Sequence, residues 1–134
     1  TTFIGSSNLQ NGLQIEFRGD ALFSNATFSG SSRSKVGTKI DIHGSSTFVD
    51  CVFDGETTTD DLNHYSSLNV TVHDVPGSDA SFSNTTFFAN GTEGILFSFL
   101  KSAGFINCEL SAPTVVINVE SNFNFENSAV VTIG

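Results

Sequence analysis

The sequence predicts an all-β chain wound as a right-handed parallel β-helix (a β-solenoid) of about five coils, three short strands to each coil. Three observations predict it. An aromatic-to-Asn phrase recurs along the chain, an alternating strand precedes each copy at a near-constant distance, and the composition suits strands and tight turns.

The phrase is an apolar residue, one spacer, Asn or Asp, two spacers and a second apolar residue. It occurs as Phe23-Ser-Asn25-Ala-Thr-Phe28, Phe48-Val-Asp50-Cys-Val-Phe53 and Phe82-Ser-Asn84-Thr-Thr-Phe87, then as Phe105-Ile-Asn107-Cys-Glu-Leu110 and Phe125-Glu-Asn127-Ser-Ala-Val130. Successive Asn/Asp positions lie 25, 34, 23 and 20 residues apart, the size of one solenoid repeat. The preceding strand carries Ile15/Phe17, Ile40/Ile42, Val70/Val72, Phe97/Phe99 and Ile117/Val119. From its last apolar residue to the Asn/Asp is 8 residues in four copies and 12 in the third, where Val75-Pro-Gly-Ser78 reads as an inserted turn. A β-sandwich also has many short strands, but nothing in it fixes this phase relationship.

Each coil therefore reads as the alternating strand, a short strand ending in Phe, a turn at Asn/Asp, and a third strand. Asn25, Asp50, Asn84, Asn107 and Asn127 form the turn ladder, because Asn and Asp tolerate left-handed backbone angles. Stacking at ~4.8 Å puts equivalent side chains in columns. Phe23, Phe48, Phe82, Phe105 and Phe125 then make one internal ladder, and Phe3, Phe28, Phe53, Phe87, Leu110 and Val130 a second. The residue after the turn is small in every copy (Ala26, Cys51, Thr85, Cys108, Ser128) and should face inward. Cys51 and Cys108 would share that column with Thr85 between them, ~9–10 Å apart and out of disulfide reach.

The whole chain, 1–134, reads as one solenoid domain. It has fourteen Phe, one Tyr and no Trp or Met, and 14% of its residues are charged. Fourteen acids outweigh Arg18, Arg33, Lys35, Lys39 and Lys101 to give a net charge of −9. Phosphate neutralisation needs clustered cations, so nucleic acid and anionic membrane surfaces are disfavoured partners. No stretch approaches the ~20 apolar residues of a membrane span. With no initiator Met and no signal peptide, the sequence reads as mature or excised from a larger protein. It starts and stops in the same phase of the coil, as a fragment or subunit with uncapped ends would. Solenoid ends need covering, so end-to-end stacking or a homotrimer is expected.

These phrases resemble those of the right-handed parallel β-helix (pectate-lyase-like) superfamily, most closely at Phe48-Val-Asp50-Cys-Val-Phe53 and Phe105-Ile-Asn107-Cys-Glu-Leu110. The resemblance covers nearly the whole chain. It implies polysaccharide lyases and hydrolases, phage tail fibres and tailspikes, or bacterial surface adhesins, all extracellular or at a virion or cell surface. Enzymes of the superfamily work on the outer face of the first strand and its loops, often with paired carboxylates. Here that face carries Glu16/Arg18, Asp41/His43, Thr71/His73, Ser98/Leu100 and Asn118/Glu120, with His43 and His73 in one column beside Asp41. Those three suit a ligand, a general base or the beginnings of a metal site. A third strong metal ligand is lacking, and no cofactor is implied. The long loop from Asp54 to Ser67 holds Asp54, Glu56, Asp60, Asp61 and His64. Its acids would suit Ca²⁺, or Asp54, Asp60, Asp61 and His64 would serve an enzyme as acid/base residues. A single Tyr is few stacking platforms for a sugar-cleaving cleft. Of the sequons at Asn25, Asn69, Asn84 and Asn90, those at Asn25 and Asn84 are spent on turns, and Asn90 is the candidate glycosylation site. The leading expectation is a non-enzymatic structural or adhesive module, with a cell-surface glycan or receptor as its candidate partner. The competing one is a polysaccharide-cleaving enzyme.

Overall fold

A computed structural model describes residues 1–58, 65–91 and 93–132. The chain enters on β1 (Thr2–Ser7). The first coil is β2 (Leu13–Phe17), β3 (Ala21–Ser24) and β4 (Thr27–Ser32), and the second is β5 (Thr38–Ile42), β6 (Ser45–Val49) and β7 (Val52–Thr57). The third is β8 (Leu68–Val72), β9 (Asp79–Ser83) and β10 (Thr86–Ala89). The fourth is β11 (Ile95–Phe99), β12 (Ala103–Ile106) and β13 (Glu109–Ala112), and the fifth β14 (Val115–Val119), β15 (Phe123–Glu126) and β16 (Ala129–Thr132). Every pairing is parallel, in a first-strand sheet β2-β5-β8-β11-β14, a second-strand sheet β3-β6-β9-β12-β15, and a third-strand sheet β1-β4-β7-β10-β13-β16. This is the expected β-solenoid.

The turn ladder sets the corner between the second and third sheets. Asn25, Asp50, Asn84, Asn107 and Asn127 have φ between 47° and 57°, and no other described non-Gly residue has a positive φ. Each turn keeps the coils stitched: the Asn84 N–H donates to Ile106 O of the next coil, and the Thr86 N–H donates to Cys51 O of the previous one. The Asn127 amide also donates to the Asn107 side-chain carbonyl. Asn84→Gly should therefore change stability by less than ~0.5 kcal/mol, whereas Asn84→Val should cost about 2 kcal/mol, because left-handed angles strain a β-branched residue most. Equal urea midpoints for the two variants would mean that φ does not decide residue choice here.

Inside, two ring stacks run along the axis. Phe3, Phe28, Phe53 and Phe87 stack at 5.0, 4.8 and 5.0 Å, nearly parallel. Phe23, Phe48, Phe82 and Phe105 stack at 5.5, 5.1 and 5.3 Å. The stacks meet edge to face, as at Phe48–Phe53 and Phe82–Phe87, the favoured arrangement for two aromatic quadrupoles. Where Leu110 follows Phe87 in its column, Phe97 follows Val70 in the facing one and packs edge-on against Phe87, so lost volume is returned. One expectation fails. Phe125 keeps its register opposite Phe105 but meets it edge-on at 6.0 Å and is 40% exposed. Phe125 lies in β15, the edge strand of its sheet, most of whose residues are exposed, and beside it Phe123 follows Ala80 and Ala103 and packs against Phe99 and Phe105.

The column after the turn is a hydrogen-bonded rung as well as a packing position. Cys51 Sγ, Thr85 Oγ1, Cys108 Sγ and Ser128 Oγ each donate to the carbonyl two residues back, at 3.3, 2.9, 3.4 and 3.0 Å. The Cys51 and Cys108 amides donate in turn to Thr85 Oγ1 and Ser128 Oγ on the next coil. Both cysteines are free and buried with Thr85 between them, and burial pushes both thiols up, so they stay protonated donors.

Candidate functional site

The first-strand sheet turns alternate side chains outward, so its register decides which polar groups meet. Glu16 and Asp41 share a column, and two residues on, Arg18, His43, His73, Leu100 and Glu120 form the next. Within a column the coils are one strand spacing apart, so the two imidazoles are forced together. His43 and His73 lie face to face at 4.1 Å with 6° between their planes.

Each ring is held from the side by an acid of the preceding coil. His43 Nε2 is 3.0 Å from Glu16 Oε1, and His73 Nε2 is 2.8 Å from Asp41 Oδ1. Arg18 adds a second bond to Glu16 Oε1 at 2.7 Å, and Lys39 Nζ approaches Asp41 Oδ1 at 3.6 Å. Asp41 is buried at 8% exposure, unusual for an acid unless paired. Two acids, two cations and two imidazoles thus make a staircase climbing one coil per step. Sequence reasoning grouped His43, His73 and Asp41, and the structure brings all three together. It missed Glu16, Arg18 and Lys39 as partners, although Glu16 stands in the Asp41 column. The pairing runs diagonally, acid to the next coil's His, and that offset is not written in any one coil.

Each Nε2 faces a carboxylate, so the acids fix the orientation of both rings. Among the described residues no group of three His, Cys, Asp or Glu side chains is placed to hold a metal ion.

The proposed acid/base residues fall differently. Asp54 was expected in the long loop, but β7 runs on to Thr57, which places Asp54 and Glu56 on a strand. The strand continues because Gly30 pairs with Gly55 and Ser32 with Thr57. Asp54 faces outward, its Oδ2 accepting from Ser29 Oγ at 3.5 Å. Partial burial, then the Glu56 charge, raises its pKa above the ordinary Asp value. A raised acid binds its proton more tightly folded than unfolded, so its stabilising contribution is full below the unfolded pKa and declines as pH rises through the folded one. Asp54→Asn should remove that decline and be the more stable form at neutral pH. Urea midpoints from acid to neutral pH check this; parallel curves for the two proteins would refute it. Asp60, Asp61 and His64 lie outside the described residues. Asn90 is exposed and its amide donates to Gly55 O; the Thr92 of its sequon is outside the described residues.

No known protein family, no curated protein and no solved structure matches this chain.

Proposed function

We propose that this chain is a non-enzymatic, extracellular structural or adhesive module, a length of β-helical shaft of the kind that serves in phage tail fibres and spikes or in surface adhesins. The observation that carries the reading is the register. All three sheets pair coil to coil, and the aromatic stacks run through the core, so the parts brace one another as a shaft requires. The His43–His73 cluster supports it, since Glu16 and Asp41 are committed to cations and imidazoles that knit neighbouring coils. Exposed Ile4, Val52, Phe88 and Val131 on the third-strand sheet favour self-association through that face, in a homotrimer, beside the end-to-end stacking that a solenoid allows.

One observation favours a second reading, a polysaccharide-cleaving enzyme: the Asp54 carboxyl holds its proton more tightly than usual beside Glu56. Electron microscopy, solution mass and an oligosaccharide digestion decide between them. The shaft reading expects rods or spikes, a mass above the monomer and intact oligosaccharides. Cleavage that disappears in Asp54→Ala would overturn it.

A further inference from the structure

The outer face of the first-strand sheet changes character along one column. Gln14 and Lys39 are followed by Asn69, Leu96 and Val116, and the apolar pair lies where the chain returns from the long insertion with Tyr65. Val36, Tyr65, Ser66, Asn69, Glu93, Leu96 and Val116 line a pocket of about 210 Å³. Tyr65 is 39% and Val116 41% exposed, so an aromatic wall and an aliphatic floor both meet solvent. Asn69 Oδ1 accepts from Thr71 Oγ1, which fixes the amide and leaves its NH₂ as a donor.

We propose that this pocket binds the ring of a neutral saccharide. An apolar wall and floor beside the hydrogen-bonding groups of Ser66 and Asn69 match a sugar, which has an apolar ring face and a hydroxylated edge. The volume is below the ~300 Å³ at which sites for drug-sized ligands begin, which limits the occupant to one ring. The net charge of −9 disfavours an anionic sugar. The inference rests on the adhesive half of the reading above, and it makes the face beside the inserted loop the contact surface.

Tyr65 is the only Tyr and there is no Trp, so the intrinsic emission of the whole chain reports on this pocket alone. Titration with glucose, galactose and N-acetylglucosamine should give a saturable change for at least one of them, with Kd about 1–10 mM, as suits few contacts. Glucuronic acid should bind at least ~10-fold more weakly. Val116→Arg, at an exposed position the fold tolerates, should weaken binding at least ~10-fold, whereas Leu22→Arg on another face should leave it unchanged. No saturable response to any neutral sugar, equal binding of glucuronic acid, or undiminished binding by Val116→Arg would each overturn the proposal. Rods with no sugar response sink the pocket and spare the shaft; sugar binding followed by cleavage of the corresponding oligosaccharide sinks the shaft and spares the pocket.

Discussion

Phe82→Ala should cost about 4 kcal/mol of folding stability, the upper range for truncating a buried aromatic. Phe82 is fully buried, stacks on Phe48 at 5.1 Å and Phe105 at 5.3 Å, and meets Phe53 and Phe87 edge-on at 5.9 and 5.1 Å. Its ring joins the third coil to the second and fourth, and in a solenoid the interfaces between neighbouring repeats carry much of the stability. Removing it leaves a cavity that the surrounding rings, themselves fixed by their columns, cannot collapse to fill. Phe125→Ala is the matched control, since Phe125 has the same register but is 40% exposed and packs edge-on. It should cost less than ~1.5 kcal/mol. Urea unfolding of both variants measures the difference, and similar losses would show that the stack is not what joins the coils.

Most of this architecture was legible because a solenoid repeats its physics once per coil. The Asn/Asp residues stand out at intervals of 20 to 34 residues, since only a few residue types accept φ near 50°, and among the described residues those five are the only non-Gly positions there. The Phe columns follow from the same phase, as does the His43–His73 stack. What the sequence conceals are relations that cross between coils at an angle or depend on backbone closeness. Nothing near Glu16 announces that its carboxylate meets His43 of the next coil rather than Arg18 alone. The thiols of Cys51 and Cys108 read as small and apolar, yet they occupy the hydrogen-bonding place that Thr85 and Ser128 fill in adjacent coils. The hint was there in the alternation of Cys with Thr and Ser, residue types that share one capable donor. Phe125 was misjudged for a different reason. Its column was right, but β15 is the edge strand of its sheet, which leaves the ring partly open.

Gly30→Ala should cost about 3 kcal/mol, although the substitution adds a single carbon. Gly30 stands in β4 in a column with Gly5 and Gly55, where the third strand comes close to the backbone at Gly37 and Leu13. A Cβ at Gly30 would lie 2.1 Å from Gly37 O and 2.8 Å from Leu13 N, and at Gly55 it would lie 2.0 Å from Ser67 O. These are backbone atoms, so no side-chain rotation relieves the overlap and two coils must move apart. Restricting the unfolded chain favours Ala by only ~0.4–1 kcal/mol, too little to offset that displacement. The column also holds its own counterexample: Ala89 follows Gly55, so a Cβ is accommodated on the third coil. Gly19→Ala completes the comparison, because no atom lies within 4 Å of its Cβ position, and it should be neutral or slightly stabilising. If Gly30→Ala and Gly19→Ala unfold at the same urea concentration, close packing at the corner does not dictate glycine there. A large loss confined to Gly30 would make the corner, with the turn ladder and the ring stacks, the third constraint that holds each coil in step with the next.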